Sequence, residues 1–269
     1  MTDDSHASEV EAWREGRYAA LRRDIGWLTL AGLGWLKPGE NRIGNGPEAD
    51  VRLPSGPDIA GTITVTDRRA FASGAFTHGG EPARDLELVS DRDGEPTLLE
   101  LGDLRICVID RGRLAVRTWD TASERRRAFA GIDHWPVDPA WKLVARFEPT
   151  PDVRISVPDV LGTVDEEASP GTVAFEVDGF EHRLQGLTGG PNGELWLVFG
   201  DATNGNETYG GGRFLYTDAP SADGSVVVDF NRSYNPPCVF SPYATCPLPW
   251  PANRLPIRVE AGERMLEAH

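Results

Sequence analysis

The sequence predicts a mainly β protein, with antiparallel sheets arranged as a sandwich or barrel and one α-helix at the N-terminal end. Three observations carry this. Helical spacing occurs once, near the start. The remainder breaks into short β-prone runs, and 30 glycines and 21 prolines supply the corners between them.

The helix is expected over about residues 8–25. Ser8 and Glu11 fit a capping box, in which each side chain satisfies a backbone N–H at the helix start. Val10, Trp13, Arg17, Leu21 and Ile25 then recur every three or four residues, with Glu11, Glu15, Arg22 and Arg23 opposite. Thr29–Leu36 follows, ending in Lys-Pro-Gly. Strand-like runs come next at 62–66, 98–101, 104–109, 114–119 and 143–147. Others lie at 153–157, 173–177, 195–199, 214–216, 226–230 and 257–259. Asp178-Gly179 and Asn192-Gly193 are hairpin turns, because both central positions of a type I′ turn favour positive φ, and Arg111-Gly112 makes another. The chain reads as one compact unit, 1–269. Its best internal linker, Glu148-Pro-Thr-Pro-Asp152, would separate lobes 27–148 and 149–269, and the last residues, through His269, are expected to fray.

Composition excludes several functions. With 27 basic and 42 acidic residues the net charge is −15, which repels a nucleic-acid backbone. No apolar run reaches the ~18 residues that cross a bilayer. The opening Met-Thr-Asp-Asp-Ser-His lacks the basic and apolar regions of a signal peptide, so a cytoplasmic location is expected. Only Lys37 and Lys142 are lysines; the other basic residues are arginines, which suit bidentate contact with carboxylate or phosphate but also reflect GC-rich codon usage. Three cysteines do not make a disulfide framework. Cys107, in Leu-Arg-Ile-Cys-Val-Ile, is expected in the core.

The last quarter holds the densest polar patterning. Asp201-Ala-Thr-Asn-Gly-Asn-Glu-Thr-Tyr-Gly-Gly-Gly-Arg213 is followed by a hairpin and then Asp229-Phe-Asn-Arg-Ser-Tyr-Asn-Pro-Pro-Cys238. Ala-Thr-Cys-Pro-Leu-Pro at 244–249 and Asn-Arg-Leu at 253–255 complete it. Prolines lower the entropy lost on ordering such a loop, so it serves either as a preorganised site or as a rigid cover. These motifs, with Leu30-Ala-Gly-Leu-Gly-Trp-Leu36, Pro38-Gly-Glu-Asn41, Phe129-Ala-Gly131, Pro136-Val-Asp-Pro139 and Thr208–Leu215, resemble the bacterial family known as domain of unknown function 1684. Trp250 stands where the resemblance implies a second proline. The resemblance implies a fold family and no particular activity. Residues 39–53 also resemble the opening strands of a forkhead-associated domain, but Asn45 follows Gly44 and the phosphothreonine-reading Ser-x-x-His is missing.

Cys238 and Cys246 have several readings: structural thiols, a nucleophile activated by Arg232, Arg213 or His134, or a disulfide that a reducing cytoplasm disfavours. Their Cys-x7-Cys spacing does not match a zinc site. His134 lies between Asp133 and Asp138, where an acidic neighbour would raise its pKa. No Gly-x-Ser-x-Gly elbow supports a serine hydrolase. Asp201, Thr203, Asn204, Asn206 and Glu207 read as a polar turn rather than a calcium loop, and Gly210–Gly212 as a bend. Arg111, Arg113 and Arg117 share strand parity, so they meet either an anionic substrate or surface carboxylates.

Residue types favour an enzyme of hydrolase or acyl-transfer type, acting on a small polar or anionic metabolite beside the Pro/Cys-rich loop. Cys238, Asp229 and Asp201 are its catalytic candidates. Arg213, Tyr209, Asn231, Tyr234, Asn235 and Arg254 are its substrate-binding candidates. No metal, cofactor, nucleic acid or membrane partner is expected, and the oligomeric state stays open. The alternative is a non-catalytic ligand-binding or scaffold protein in which the same loop is a structural plug.

Overall fold

The structure, a computed structural model, describes residues 3–266, so the expected fraying through His269 lies in part outside the described residues. The chain forms two units. One takes residues up to Tyr18, Ala130–Phe240 and the chain from Thr245; the other takes Ala19–Phe129 and Ser241–Ala244. The boundary therefore falls at Phe129–Ala130 rather than at the Pro-rich stretch 148–152.

Helix α1 spans Asp3–Leu21, beginning ahead of the expected cap and ending before residue 25. Ser8 and Glu11 thus lie inside it, and Glu11 pairs with Arg14 instead of capping. The chain then turns tightly at Gly26, where a Cβ would stand 2.5 Å from the Leu21 carbonyl oxygen. Ile25 is left outside the helix and exposed.

The Ala19–Phe129 unit is a sandwich of two sheets. Its strands are β1 (Leu30–Trp35), β2 (Gly39–Gly44), β3 (Val51–Arg52), β4 (Gly61–Thr66), β5 (Arg69–Gly74), β6 (Thr77–His78), β7 (Glu81–Pro82), β8 (Leu86–Leu88), β9 (Leu99–Leu101), β10 (Leu104–Asp110) and β11 (Leu114–Asp120). One sheet runs β1-β11-β10-β9-β6-β7 and the other β3-β2-β4-β5-β8. Only β2–β3 is a parallel pair. Inward residues of both sheets, among them Ile43, Ile63 and Ala72 against Leu99, Ile106 and Val116, share one core. Cys107 is buried in β10, and burial pushes its thiol pKa up to about 12. Helix α2 (Glu124–Ala128) closes the unit. Strand β5 escapes a sequence reading because its inward positions hold the alanines Ala70 and Ala72 instead of large β-formers, whereas β2 turns Ile43 inward beside Asn41.

The other unit is one antiparallel half-barrel sheet, ordered β16-β15-β14-β13-β12-β17. These are β12 (Lys142–Pro158), β13 (Val164–Val177), β14 (Phe180–Thr188), β15 (Leu195–Phe199), β16 (Arg213–Thr217) and β17 (Ser225–Asp229). The 148–152 stretch is no linker. It is a bulge inside β12, marked by a register shift between Pro149 and Val153 and by φ 61° at Asp152. Asp178-Gly179 turns at φ 52° and 79°, as a type I′ hairpin requires. In the other two expected hairpin turns only Gly193 and Gly112 have positive φ. Residues 257–259 form no strand, because side chains take their backbone groups: Val259 donates its N–H to Asp201, and its carbonyl accepts from Arg213.

Candidate functional site

The polar residues singled out at the C-terminal end collect inside the half-barrel unit. Asp201 opens a turn in which its carboxylate accepts from the Thr203 N–H and hydroxyl and from the Val259 N–H. Asn204 closes the turn, accepting from the Asp201 N–H and donating to Thr208 and to the Tyr209 carbonyl. The expected polar turn is therefore present. Gly212 follows at φ 87°, where a Cβ would meet Pro249 at 2.5 Å and the Phe199 carbonyl oxygen at 2.6 Å. That close approach requires glycine.

Arg213 begins β16 with its guanidinium wholly buried. It donates to the carbonyls of Val259 and Ala261 and to Asp201 at 3.2 Å, and it lies over the rings of Trp135 and Phe199. Burial lowers its pKa, and the Asp201 charge opposes that.

Asp229 ends β17, also buried. Its carboxylate accepts from His6 at 2.8 Å and from the N–H and amide of Asn231. Asn231 in turn exchanges hydrogen bonds with both backbone groups of Asp138. Asn235 donates its N–H to Glu263 at 2.6 Å and its amide to the Arg264 carbonyl. Glu263 is fully buried and receives both the Arg17 guanidinium and that N–H. The Tyr234 ring lies beneath the Arg17 guanidinium at 4.4 Å, and burial raises its hydroxyl pKa. Tyr209 is half-buried and Arg254 is exposed, bridged through its backbone to Gly200.

Cys238 is disulfide-bonded to Cys246, with 6.3 Å between the Cα atoms. In this state it has no thiolate with which to attack. No hydrogen bond or ion pair among the described residues links it to Asp201, Asp229 or Arg213. The expected set thus separates into Asp201 with Arg213, Asp229 with Asn231, Asn235 with Glu263, and a disulfide apart. His6, Arg17 and Glu263 were not legible as partners, since long separations join them to the network and no local motif marks them.

His134 corrects a sequence expectation. The Asp133 charge acts to raise its pKa, as expected, but burial, then the Arg14 charge, outweighs it and lowers the pKa to about 4. Its Nδ1 faces the Tyr18 hydroxyl at 3.4 Å. The three arginines expected on one strand also part company, because Arg111 and Arg113 lie in the β10–β11 turn and only Arg117 is in a strand. Arg117 is buried over Trp27, Arg111 pairs with Asp91 at 2.7 Å, and Arg113 projects over Trp35. Among the described residues, no three His, Cys, Asp or Glu side chains are grouped so as to hold a metal ion. No helix among them is long and apolar enough to cross a membrane.

The Ala19–Phe129 unit carries an open cleft of about 360 Å³ where three turns meet. The β1–β2 turn gives Leu36, Lys37 and Pro38; the end of β4 and its hairpin tip give Val65, Asp67 and Arg68; the β10–β11 tip gives Gly112, Arg113 and Leu114. Asn41, buried in β2, fixes the first turn. It accepts from the Lys37 N–H and donates to the carbonyls of Lys37, Gly39 and Ile63, all at 2.9–3.1 Å. The Pro38–Asn41 motif is therefore a turn clamp.

The residues that build this mainly β half-barrel and its buried polar side chains match a family model. The family model described as "Protein of unknown function (DUF1684)" matches residues 127–264, and the chain belongs to that family. The match takes in every C-terminal site candidate and leaves the 30–41 motif outside. Among solved structures, an uncharacterized protein of Haloarcula marismortui, determined by solution NMR, is similar at 30% identity with a TM-score of 0.44. The similarity covers 52% of this chain and 80% of that one. No curated protein matches.

Proposed function

We propose that this chain is a non-catalytic ligand-binding β protein in which the Pro/Cys-rich loop is a structural plug. The observation that carries this reading is the pairing of Arg213 with Asp201. Both side chains have no solvent exposure, and the protein's own groups occupy the carboxylate and the guanidinium ends. A substrate anion would have to displace those partners and enter a dry interior, at a cost of several kcal/mol per ion. Asp229 is held in the same way by His6 and Asn231. Hydrolysis needs a nucleophile and a proton acceptor that substrate can reach. Buried polar networks whose charged ends are paired within the protein instead specify a unique packing.

The test is thermal unfolding of the Asp229→Asn, Arg213→Met and Cys238→Ala variants beside the wild type. The plug reading expects the first two to melt well below the wild type. Variants that melt at the wild-type temperature would overturn it and return these residues to the list of reacting groups.

A further inference from the structure

We propose that the cleft of the Ala19–Phe129 unit binds an amphipathic monocarboxylate, an alkyl or aryl acid with one negative charge. This deepens the binding-protein reading and rests on it. The cleft's floor is apolar and continuous with the core: Leu36 and Leu114 belong to that core, and Val65 packs against it. Its volume lies at the lower end of the ~300–1,000 Å³ typical of small-molecule sites, so it suits one short chain or ring.

The charges around it are the reverse of the chain's own. Lys37, Arg68 and Arg113 line it against a single acid, Asp67, in a protein whose net charge is −15. Two of those cations already have counter-charges: Lys37 faces Asp50 at 3.6 Å, and Arg68 is paired with Asp110 while also donating to the Gly112 carbonyl. Arg68 thereby ties the β4–β5 tip to the β10–β11 tip and holds the cleft's walls in place. Arg113 is different. Among the described residues it makes no ion pair, and its guanidinium lies 5.1 Å from the centre of the Trp35 ring. This cation–π contact holds the guanidinium beside the ring while leaving its N–H groups for a planar, two-oxygen acceptor.

The sum selects the ligand. One uncommitted guanidinium calls for one carboxylate. Asp67 on the lining opposes a dianion such as phosphate. The floor rewards methylene or ring carbons attached to that carboxylate. Asp67 and Arg68 both adopt positive φ, 50° and 62°, as the two central positions of a two-residue type I′ hairpin require, and this fixes both side chains at the tip.

The experiment is isothermal titration of the full chain with butyrate, hexanoate and octanoate at neutral pH, with octanol, benzoate and inorganic phosphate for comparison. Affinity should rise about fourfold per added methylene. Octanol and phosphate should bind at least tenfold more weakly than octanoate; benzoate in place of octanoate as the stronger ligand would assign the aryl form. Arg113→Gln should remove the preference for octanoate over octanol without moving the melting temperature, and Val65→Asp should weaken the whole series. Arg105→Gln, an arginine on another part of the unit, should change nothing. No binding of either octanoate or benzoate, or octanoate binding indifferent to Arg113→Gln, overturns the proposal. The plug reading stands or falls separately on Arg213→Met: a destabilised variant beside a wild type that binds no acid overturns the cleft assignment alone.

Discussion

Arg213 and Asp201 form an ion pair, Nη2 to Oδ1 at 3.2 Å, from which solvent is wholly excluded. Each charge is stabilised by backbone as well as by the other: two carbonyls for the guanidinium, and the Val259 N–H for the carboxylate. Removing one partner leaves the other charged and buried. Arg213→Met should therefore destabilise the protein by about 3–5 kcal/mol in urea unfolding. Adding Asp201→Leu should restore part of the loss, because the second charge is then gone as well. A loss under about 1 kcal/mol in the single variant would mean that the pair is hydrated rather than enclosed.

The glycine run before Arg213 offers a sharp internal comparison. Gly212 is in the left-handed region, with Pro249 and the Phe199 carbonyl oxygen where a Cβ would stand. Left-handed backbone costs an L-residue about 1–2 kcal/mol, and overpacking adds about 1–3. Gly212→Ala should accordingly lose about 2–5 kcal/mol. Gly210 has ordinary φ and nothing nearer than 3.8 Å, so Gly210→Ala should stay within about 0.5 kcal/mol of wild type. Equal effects from the two substitutions would contradict this backbone assignment.

The Cys238–Cys246 bond closes a loop with a sequence separation of 8. Loop-closure entropy for so short a segment amounts to about 2–3 kcal/mol. A thiol reductant should lower the melting temperature, and Cys238→Ala should reproduce the drop and then show no further response to reductant. Mass spectrometry under non-reducing conditions checks the linkage directly. Two free, alkylatable thiols in the purified native protein would refute it.

These outcomes bear on what was legible beforehand. Alternation and turn chemistry marked most of the strands, because Ile, Val and Leu at inward positions and glycine at tips are local signals. They missed β5, whose inward positions are alanines, and they mistook the Pro149–Asp152 bulge in β12 for a linker. A bulge and a linker share the same prolines and differ only in the partner strand. The C-terminal polar residues were legible as a group, but their state was not. Glu263 meets Arg17, and Asp229 meets His6, across separations of more than two hundred residues. Nothing local distinguishes a carboxylate that awaits substrate from one that a distant helix already occupies. The cleft was harder still, since three unrelated turns supply it and only Arg113 among its charged residues belonged to a visible cluster.

His134 gives the protein a dependence on pH whose sign follows from its surroundings. Burial and the nearby Arg14 hold its folded-state pKa at about 4, against 6.5 for an ordinary histidine. Above pH ~6.5 the ring is neutral in both states, and its contribution to stability is complete. As the pH falls from ~6.5 towards ~4 the unfolded chain takes up a proton that the folded one refuses, so stability declines. Below ~4 both forms are protonated and this residue adds no further slope. Carboxylates held low in the fold, such as Asp91 beside Arg111, add a loss of the same sign as the pH falls through the acid range. The histidine's share is isolated by difference. Between pH 6.5 and 4.5 the wild type should lose more unfolding free energy than His134→Gln, with the excess approaching one proton's worth of slope. Parallel curves for the two proteins would mean that the ring titrates normally, and that it is open to solvent rather than enclosed beside Tyr18.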